Sequence, residues 1–231
     1  MKGILVIVSV IIVLNCFSQR AKYEISHYSA RDYGKGLEAT NRVCIQDKNG
    51  VLYFGNAVRI IQFDGSNWNF IPVKQESTWI FSLAVSNENK IFVGAQNEFG
   101  YLAPDAIGKL TYISLSDSLT NADKLFSKII RIHILKNNVV FQSEEAIFIY
   151  SAGKLNSIFP ETSFHLSFLV NDDLLVRQRD IGLMKLVDNK LILIIGSEFL
   201  KNYGVFSIIE NPVQNKLTII TREDGFWIFD K

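Results

Sequence analysis

Residues 42–73 read RVCIQDKNGVLYFGNAVRIIQFDGSNWNFIPV, and this stretch decides the fold. It holds four short runs of aliphatic, β-branched and aromatic residues, separated by polar segments rich in Gly, Asn and Asp. Such a pattern is typical of strands joined by tight turns, and Asp64 and Gly65 favour one of these turns. We expect Trp68 to pack between sheets. The predicted strands are residues 42–46, 51–55, 60–63 and 68–73.

The same unit recurs along the rest of the chain. The second copy is close to the first, the third and fourth are more divergent, and the fifth lacks its last strand. The copies repeat at intervals of about 40 residues, the period of propeller blades. The predicted strands are residues 81–85, 91–94, 99–102 and 110–115, then 129–135, 139–142, 147–150 and 155–159, then 164–170, 174–177, 182–186 and 191–195, then 205–209, 216–221 and 225–229.

These repeats predict an all-β fold, a β-propeller of about five blades, each a four-stranded antiparallel sheet, with the last blade incomplete. One blade cannot cover both of its faces, so neighbouring blades must pack on each other. Two arrangements remain open. Residues 24–28 could supply the missing strand and close the ring, which would protect its edges. Alternatively, the chain is the front part of a longer propeller protein and forms an open arc, the arrangement that we favour.

The N-terminus has the features of a secretory signal peptide. Lys2 precedes an apolar run over residues 4–14, which is shorter than the roughly 18 residues that cross a bilayer. The small residues Cys16 and Ser18 favour cleavage after Ser18. We therefore expect a signal peptide at residues 1–18, a partial propeller sensor domain at residues 19–231, and export to the periplasm. Lipidation of Cys16, which would attach the chain to a membrane, is the alternative.

The composition excludes several classes of protein. The chain has 231 residues, 48% of them hydrophobic and 20% charged, which is enough apolar material for a folded core. The formal net charge is +1, so nothing indicates the concentrated basic surface that a nucleic-acid partner requires. Without the signal peptide, Cys44 is the one remaining cysteine and no internal disulfide is possible. Its apolar neighbours predict a buried, inert thiol.

The sequence lacks the common motifs of catalytic and metal-binding sites. It contains no phosphate-binding glycine loop, no nucleophile elbow and no paired metal-binding motif. The histidines His27, His133 and His165 are scattered, which favours structural roles. Asp172 and Asp173 follow Asn171 in a predicted hairpin turn, where carboxylates ordinarily bond to their own backbone. We therefore expect no cofactor, and we expect that the chain is not an enzyme.

Polar side chains recur just after each predicted second strand. Repetition places these tips on one face, around the mouth of a propeller's central channel. Amides, guanidinium groups and carboxylates suit the hydroxyls of a sugar, and Trp79 or Tyr101 could stack on its ring. Polar hairpin tips are also common as simple solvated turns. The candidate ligand-binding residues are Asn56, Gln96, Asn97, Glu98, Tyr101, Gln178, Arg179, Arg222 and Glu223.

Four segments resemble the two-component regulator propeller family. They are residues 25–33 (ISHYSARDY), 45–55 (IQDKNGVLYFG), 63–68 (FDGSNW) and 94–102 (GAQNEFGYL). Proteins of this family usually carry two propellers, a β-sandwich, one transmembrane helix and then a histidine kinase or helix-turn-helix output domain. The resemblance implies periplasmic sensing of a ligand, often an oligosaccharide, by an N-terminal fragment of such a receptor. The later parts of the family architecture do not occur in this sequence, so the resemblance implies sensing of a ligand and not transmission of the signal.

The sequence therefore indicates two alternative functions. The first is a periplasmic propeller module of a two-component or transcriptional regulatory system that binds a small polar ligand or oligosaccharide. Its other partners would be the remainder of the receptor or another propeller chain. The alternative is an interaction scaffold that pairs with another chain through the exposed edge of the incomplete blade.

Overall fold

The structure is a computed structural model that describes residues 25–34, 38–74, 78–211 and 216–230. The predicted signal peptide, including Cys16, lies outside these residues. The described part of the chain forms five antiparallel sheets, four with four strands and one with three, and each sheet follows the order of the sequence. The expectation of an all-β protein built from propeller blades, the last of them incomplete, is confirmed.

The strands agree closely with the predicted runs because tight turns and apolar alternation are local signals. A short helix, α1 (Ala30–Tyr33), precedes the first sheet. The strands are β1 (Asn41–Gln46), β2 (Leu52–Asn56), β3 (Ile60–Phe63) and β4 (Trp68–Ile71) in blade 1; β5 (Ile80–Val85), β6 (Ile91–Ala95), β7 (Glu98–Pro104) and β8 (Leu110–Ser114) in blade 2; β9 (Arg131–Ile134), β10 (Val139–Gln142), β11 (Ile147–Ser151) and β12 (Lys154–Ile158) in blade 3; β13 (Phe164–Val170), β14 (Asp173–Gln178), β15 (Gly182–Val187) and β16 (Lys190–Leu193) in blade 4; and β17 (Val205–Asn211), β18 (Lys216–Thr221) and β19 (Phe226–Asp230) in blade 5.

The hydrophobic core is divided among the boundaries between blades. Ile60 of blade 1 and Val93 of blade 2 belong to one buried cluster, and Phe99 of blade 2 and Phe141 of blade 3 belong to the next. Similar clusters join blade 3 to blade 4 and blade 4 to blade 5. Each blade therefore depends on its neighbours, as expected for repeats that cannot bury both faces alone.

The blades form an arc that does not close. The first strand of each blade contacts the first strand of the next blade, so β1, β5, β9, β13 and β17 line the inner side of the arc. Blade 5 has three described strands, and residues 25–29 form no strand, so the described part of that segment does not complete it.

The segment around α1 lies instead against blade 1. Tyr28 and Tyr33 contact Trp68, with ring centroids 5.5 and 5.4 Å away, and Trp68 stacks on Phe63 at 4.1 Å. The prediction that Trp68 packs between blades is wrong, because this face of blade 1 points away from blade 2 and is covered by the aromatic side chains of the N-terminal segment. The turn before it is as predicted, with the Asp64 carboxylate accepting from the Ser66 and Asn67 amides at 2.9 and 2.7 Å.

The prediction of a buried thiol at Cys44 is also wrong. Cys44 lies on β1, the inner strand of blade 1, and its side chain is exposed. Residues alternate between the two faces of a strand, so Val43 and Ile45 pack against blade 2 while Cys44 takes the other face. Partial desolvation there raises the pKa of the Cys44 thiol, which disfavours the reactive thiolate.

Two glycines allow neighbouring blades to approach closely. A Cβ on Gly55 of β2 would lie 2.5 Å from Cγ1 of Val43 and 2.8 Å from Cγ2 of Ile80. A Cβ on Gly94, at the matching place in blade 2, would lie 2.3 Å from Oγ of Ser82 and 2.5 Å from Cγ2 of Ile129. In each case the crowding comes partly from the segment that begins the next blade, so these positions need a residue without a side chain.

Candidate functional site

One face of the arc is built from the turns between the second and third strands and from the segments that lead into the first strands; we call it the tip face. Backbone hydrogen bonds tie each turn to the entry of its own blade. The amide of Gln96 donates to the carbonyl of Trp79 at 3.0 Å, and the amide of Arg179 donates to Ser163 at 2.8 Å. The amide of Arg222 donates to the carbonyl of Gly204 at 2.8 Å. The tips of blades 2, 4 and 5 therefore lie beside the segments that enter the inner strands.

Five of the predicted site residues are exposed or half exposed on this face: Gln96, Asn97, Arg179, Arg222 and Glu223. The Asn97 amide donates to the carbonyls of Ser127 and Phe126 at 2.9 and 2.7 Å, which fixes the tip of blade 2 to the segment entering blade 3. The Arg179 guanidinium lies 3.7 Å from the carboxylate of Glu144, on the tip of blade 3. The Glu223 carboxylate accepts from the Gly204 amide at 2.8 Å.

Two others are buried at the ends of second strands. Asn56 is fully buried, and its amide donates to the carbonyls of Glu38 and Thr40 at 2.7 and 3.2 Å and to the side chain of Asn41 at 2.8 Å. Gln178 is 4% exposed. Asn56 thus satisfies the backbone entering its own blade, and its amide is not available at the surface.

Glu98 is buried among hydroxyl groups. It is 4% exposed, and its carboxylate accepts from Tyr112, Ser114 and Ser116 at 2.9, 2.7 and 2.5 Å. Lys74 lies 3.1 Å away and also pairs with Asp117. Burial, and then the Glu98 charge, raise the pKa of Tyr112 far above its ordinary value, so Tyr112 remains a hydrogen-bond donor. These contacts place the Glu98 carboxylate toward the outer strand of blade 2, away from the inner strands of the arc.

Tyr101 lies at the opposite end of blade 2. It pairs with Phe92 at the beginning of β6, whereas the tip of the blade follows the end of β6. Its ring lies under the ammonium group of Lys90, 3.8 Å from the centroid, and faces Tyr150 of blade 3 at 6.4 Å. The structure therefore does not bring Tyr101 together with the tip residues. Trp79, the other aromatic candidate, does lie on the tip face and is 37% exposed.

A structural role for polar residues at strand ends extends to side chains that the sequence analysis did not single out. Gln142, fully buried at the end of β10, donates to the carbonyl of His165 at 3.0 Å. Arg177, near the end of β14, donates to the carbonyls of Leu200 and Lys201 at 3.2 and 2.5 Å. Gln142 thus satisfies a carbonyl on the first strand of blade 4, and Arg177 satisfies carbonyls on the segment that leads to blade 5.

A second set of residues was missed because it depends on pairing register. Four of the five inner strands have an irregularity near their start, where β1, β5, β13 and β17 each carry extra residues opposite their second strand. Such bulges change the direction of a side chain. The bulged positions are Arg42, Phe81, His165 with Leu166, and Phe206. We call the side chains of Arg42, Phe81, His165 and Phe206 the bulge set.

Members of the bulge set touch between consecutive blades. The Arg42 guanidinium lies 5.2 Å from the centroid of Phe81, and the rings of His165 and Phe206 meet edge to face at 5.5 Å. Burial lowers the pKa of His165, and the nearby Arg177 and Arg179 charges lower it further. A sequence signal for this set exists, since each member lies near the start of the first strand of its repeat.

The described residues contain no group of three or more His, Cys, Asp or Glu side chains placed to hold a metal ion. Within the same residues, no helix has the length and apolar character needed to cross a membrane.

Comparison by sequence finds no matching protein family and no matching curated protein. Comparison of structures finds propellers. Virginiamycin B lyase from Staphylococcus aureus matches with a TM-score of 0.54 and 12% identity over 81% of this chain and 68% of that one. The extracellular domain of the proposed hybrid two-component system BT4673 from B. thetaiotaomicron matches with a TM-score of 0.54 and 14% identity. That match covers 85% of this chain and 27% of the other.

A third similar structure is PorZ, a bacterial surface component of the type-IX secretion system of Porphyromonas gingivalis. It matches with a TM-score of 0.59 and 15% identity, over 89% of this chain and 34% of that one. This chain thus spans about a quarter of the BT4673 domain and a third of PorZ in length.

These comparisons correct one prediction. The expectation that the chain is not an enzyme is wrong, because virginiamycin B lyase is an enzyme with the same propeller fold. The absence of these motifs therefore does not distinguish this chain from catalytic propellers. Sequence identities of 12 to 15% support a shared fold and nothing about activity. The chain has a β-propeller fold that is also found in an enzyme, in an extracellular domain of a two-component system and in a surface component of a secretion system.

Proposed function

We propose that this chain is an exported, ligand-sensing propeller module of a two-component or transcriptional regulatory system, and that it binds a saccharide on the tip face. The observation that supports the proposal is that exposed amide, guanidinium and carboxylate groups of three blades lie on one face, which also holds the exposed indole of Trp79. Gln96 and Trp79 are joined by a backbone hydrogen bond of 3.0 Å. Planar polar groups beside an aromatic ring suit the hydroxyls and apolar faces of sugars.

The regulatory part of the proposal is supported by two independent likenesses. The sequence resembles the two-component regulator propeller family in four segments, and the fold matches the extracellular domain of BT4673. In such an arrangement the sensing module must lie outside the cytoplasm, which agrees with the expected signal peptide at residues 1–18.

Binding is tested with the exported protein and a panel of oligosaccharides by isothermal titration calorimetry. The double variant Gln96→Ala/Arg179→Ala removes two exposed tip groups on different blades. We expect about 10- to 100-fold weaker binding of a saccharide that the wild type binds, since hydrogen bonds to a charged donor contribute most. Lys136→Ala, an exposed side chain in the turn at the opposite end of blade 3, is the control and should bind as the wild type does. Unchanged affinity in the double variant would exclude these tip residues as the saccharide-binding site.

Export is tested separately. Mass spectrometry of the mature protein should show an N-terminus at Gln19 in the periplasmic fraction. A mass that includes a lipidated Cys16 would support the alternative anchor, and a cytoplasmic full-length chain would contradict export.

A second candidate function is an interaction scaffold, and a specific observation favours it. Strand β19 pairs with β18 and with no other described strand. The face of blade 5 that points away from blade 4 exposes Ile220, Phe226 and Ile228, at 39, 67 and 61%. On the other blade boundaries the corresponding faces are buried. A second copy of the chain could cover this face and extend this edge.

Light scattering over a hundredfold range of concentration tests the scaffold function. Concentration-dependent dimers that Phe226→Ser/Ile228→Ser abolishes would support it. A monomer throughout the range would contradict it.

A further inference from the structure

We infer that the ligand of the tip face is an acidic saccharide, one carrying carboxylate or sulfate groups, and that Arg42 and Lys128 bind its anionic group. This inference rests on the proposed function and narrows it. Two observations support it: the β-bulge at Arg42 on β1, and the isolated β-bridge between Lys128 and Gln96.

The Arg42 guanidinium is held against an aromatic surface. Its central carbon lies 4.3 Å from the centroid of Trp79 and 5.2 Å from that of Phe81, so two rings of blade 2 support an exposed cation of blade 1. The bulge between Asn41 and Val43 gives Arg42 this direction. A guanidinium stacked on a ring keeps its N–H groups in the plane of the fork, where they can bind two oxygens of a carboxylate or sulfate.

A second cation, Lys128, lies near the same ring of Phe81. Lys128 forms an isolated antiparallel bridge with Gln96, which fixes its backbone to the tip of blade 2, and its ammonium lies 6.0 Å from the centroid of Phe81. Cations from blade 1 and from the entry to blade 3 therefore both lie within 6.0 Å of the centroid of the same ring, and the predicted tip residue Gln96 is bridged to one of them, Lys128.

Neither cation is neutralised by an ion pair with a described residue. This distinguishes them from Arg179 on the same face, which lies 3.7 Å from Glu144. The acidic residue Glu145 also belongs to this face, but its side chain bonds to Ser127, and no ion pair joins it to Lys128. The part of the tip face around Phe81 thus offers unpaired positive charge, an aromatic ring and a side-chain amide, which together select an anionic sugar over a neutral one.

The test compares three probes of similar size by calorimetry at low salt: a galacturonate trisaccharide, a sulfated chondroitin-derived disaccharide and neutral xylotriose. We expect at least one acidic probe to bind about 10- to 100-fold more tightly than xylotriose, because hydrogen bonds to charged groups are the stronger class. The galacturonate arm shows whether carboxylates alone are enough for binding, and the chondroitin-derived arm, which carries a sulfate beside a carboxylate, shows whether an added sulfate is preferred. Affinity for the acidic probe should fall as salt rises, while that for xylotriose should not.

Variants assign the effect to the two cations. Arg42→Gln and Lys128→Gln should each weaken binding of the acidic probe and leave the affinity for xylotriose nearly unchanged. Arg42→Lys, which keeps the charge but loses the fork, should retain part of the affinity. Lys136→Gln, at the opposite end of blade 3, should change neither. Circular dichroism of each variant checks that the fold is retained.

The outcomes separate this inference from the proposed function. If xylotriose binds as tightly as the acidic probes, or if Arg42→Gln weakens both classes equally, an acidic ligand is excluded while saccharide sensing stands. If none of the probes binds, both the inference and the proposed function are overturned.

Discussion

The side-chain amide of Gln142 donates to the main-chain carbonyl of His165, 3.0 Å away and across the boundary between blades 3 and 4. The oxygen of the same amide accepts from Ser167 Oγ at 2.6 Å, and Ser167 lies 2.8 Å from Nε2 of His133. A buried chain of polar groups therefore joins the two inner strands, and one side chain of blade 3 determines how the entry to blade 4 is held.

Replacing this amide should destabilise the protein. Gln142→Leu keeps the size of the side chain but leaves a carbonyl and a hydroxyl unsatisfied in the interior, which costs about 2 to 4 kcal/mol. Urea unfolding should show this loss. Gln46→Leu, on the exposed part of β1, should stay within about 1 kcal/mol. Equal stabilities for the two variants would contradict the role assigned to Gln142.

The close approach at Gly94 predicts a second loss of stability. In Gly94→Ala the new methyl group meets Ser82 at 2.3 Å and Ile129 at 2.5 Å, so the boundary between blades 2 and 3 must widen. Overpacking of this kind costs about 1 to 3 kcal/mol. Gly204→Ala is the matched control, since its nearest neighbour is 3.4 Å away and the added methyl group fits. A thermal midpoint for Gly94→Ala equal to that of Gly204→Ala would show that the boundary yields without cost.

His133 predicts a dependence of stability on pH. Burial, with a smaller contribution from Arg131, lowers the pKa of His133 to about 4. The unfolded chain has a pKa of about 6.5, so it takes up a proton more readily than the folded protein. The contribution of neutral His133 is complete above about pH 6.5 and is lost as the pH falls toward 4, by about 3 kcal/mol in total.

The readout is the difference in unfolding free energy between wild type and His133→Gln, measured from pH 7 to pH 4. The variant should lose less stability over this range because its side chain does not titrate. His27→Gln, at an exposed position, should follow the wild type. Parallel curves for His133→Gln and wild type would contradict the assignment.

We expect replacement of Glu98 to lower the stability of the fold without changing saccharide affinity. Glu98→Ala removes the acceptor for the Tyr112, Ser114 and Ser116 hydroxyls and one partner of Lys74, and it should cost about 2 to 4 kcal/mol in chemical unfolding. Because the carboxylate points toward the outer strand of blade 2, saccharide affinity of the folded variant should be unchanged. The exposed Glu223→Ala should cost about 1 kcal/mol or less. A stable Glu98→Ala variant with weakened binding would return Glu98 to the ligand site.

The sequence by itself determined the blades. Turn residues and apolar runs are local properties, so the strands predicted at residues 60–63, 139–142, 164–170 and 216–221 coincide with β3, β10, β13 and β18, and the remaining strands differ from their predictions by a few residues at their ends. The repeat also placed Gln96 and Arg179 on one face, because equivalent positions in successive blades occupy equivalent places.

Tertiary structure decided what each polar or aromatic side chain does. Asn56 and Gln96 both follow a predicted second strand, yet Asn56 is buried against the chain entering its blade and Gln96 is exposed. Tyr101 follows the tip of blade 2 closely in sequence but lies at the far end of the sheet, since each residue of an antiparallel strand moves away from the turn. Arg42 reaches Trp79 only through a bulge in the pairing of β1 with β2, and pairing register depends on contacts between strands, which a single run of residues does not specify.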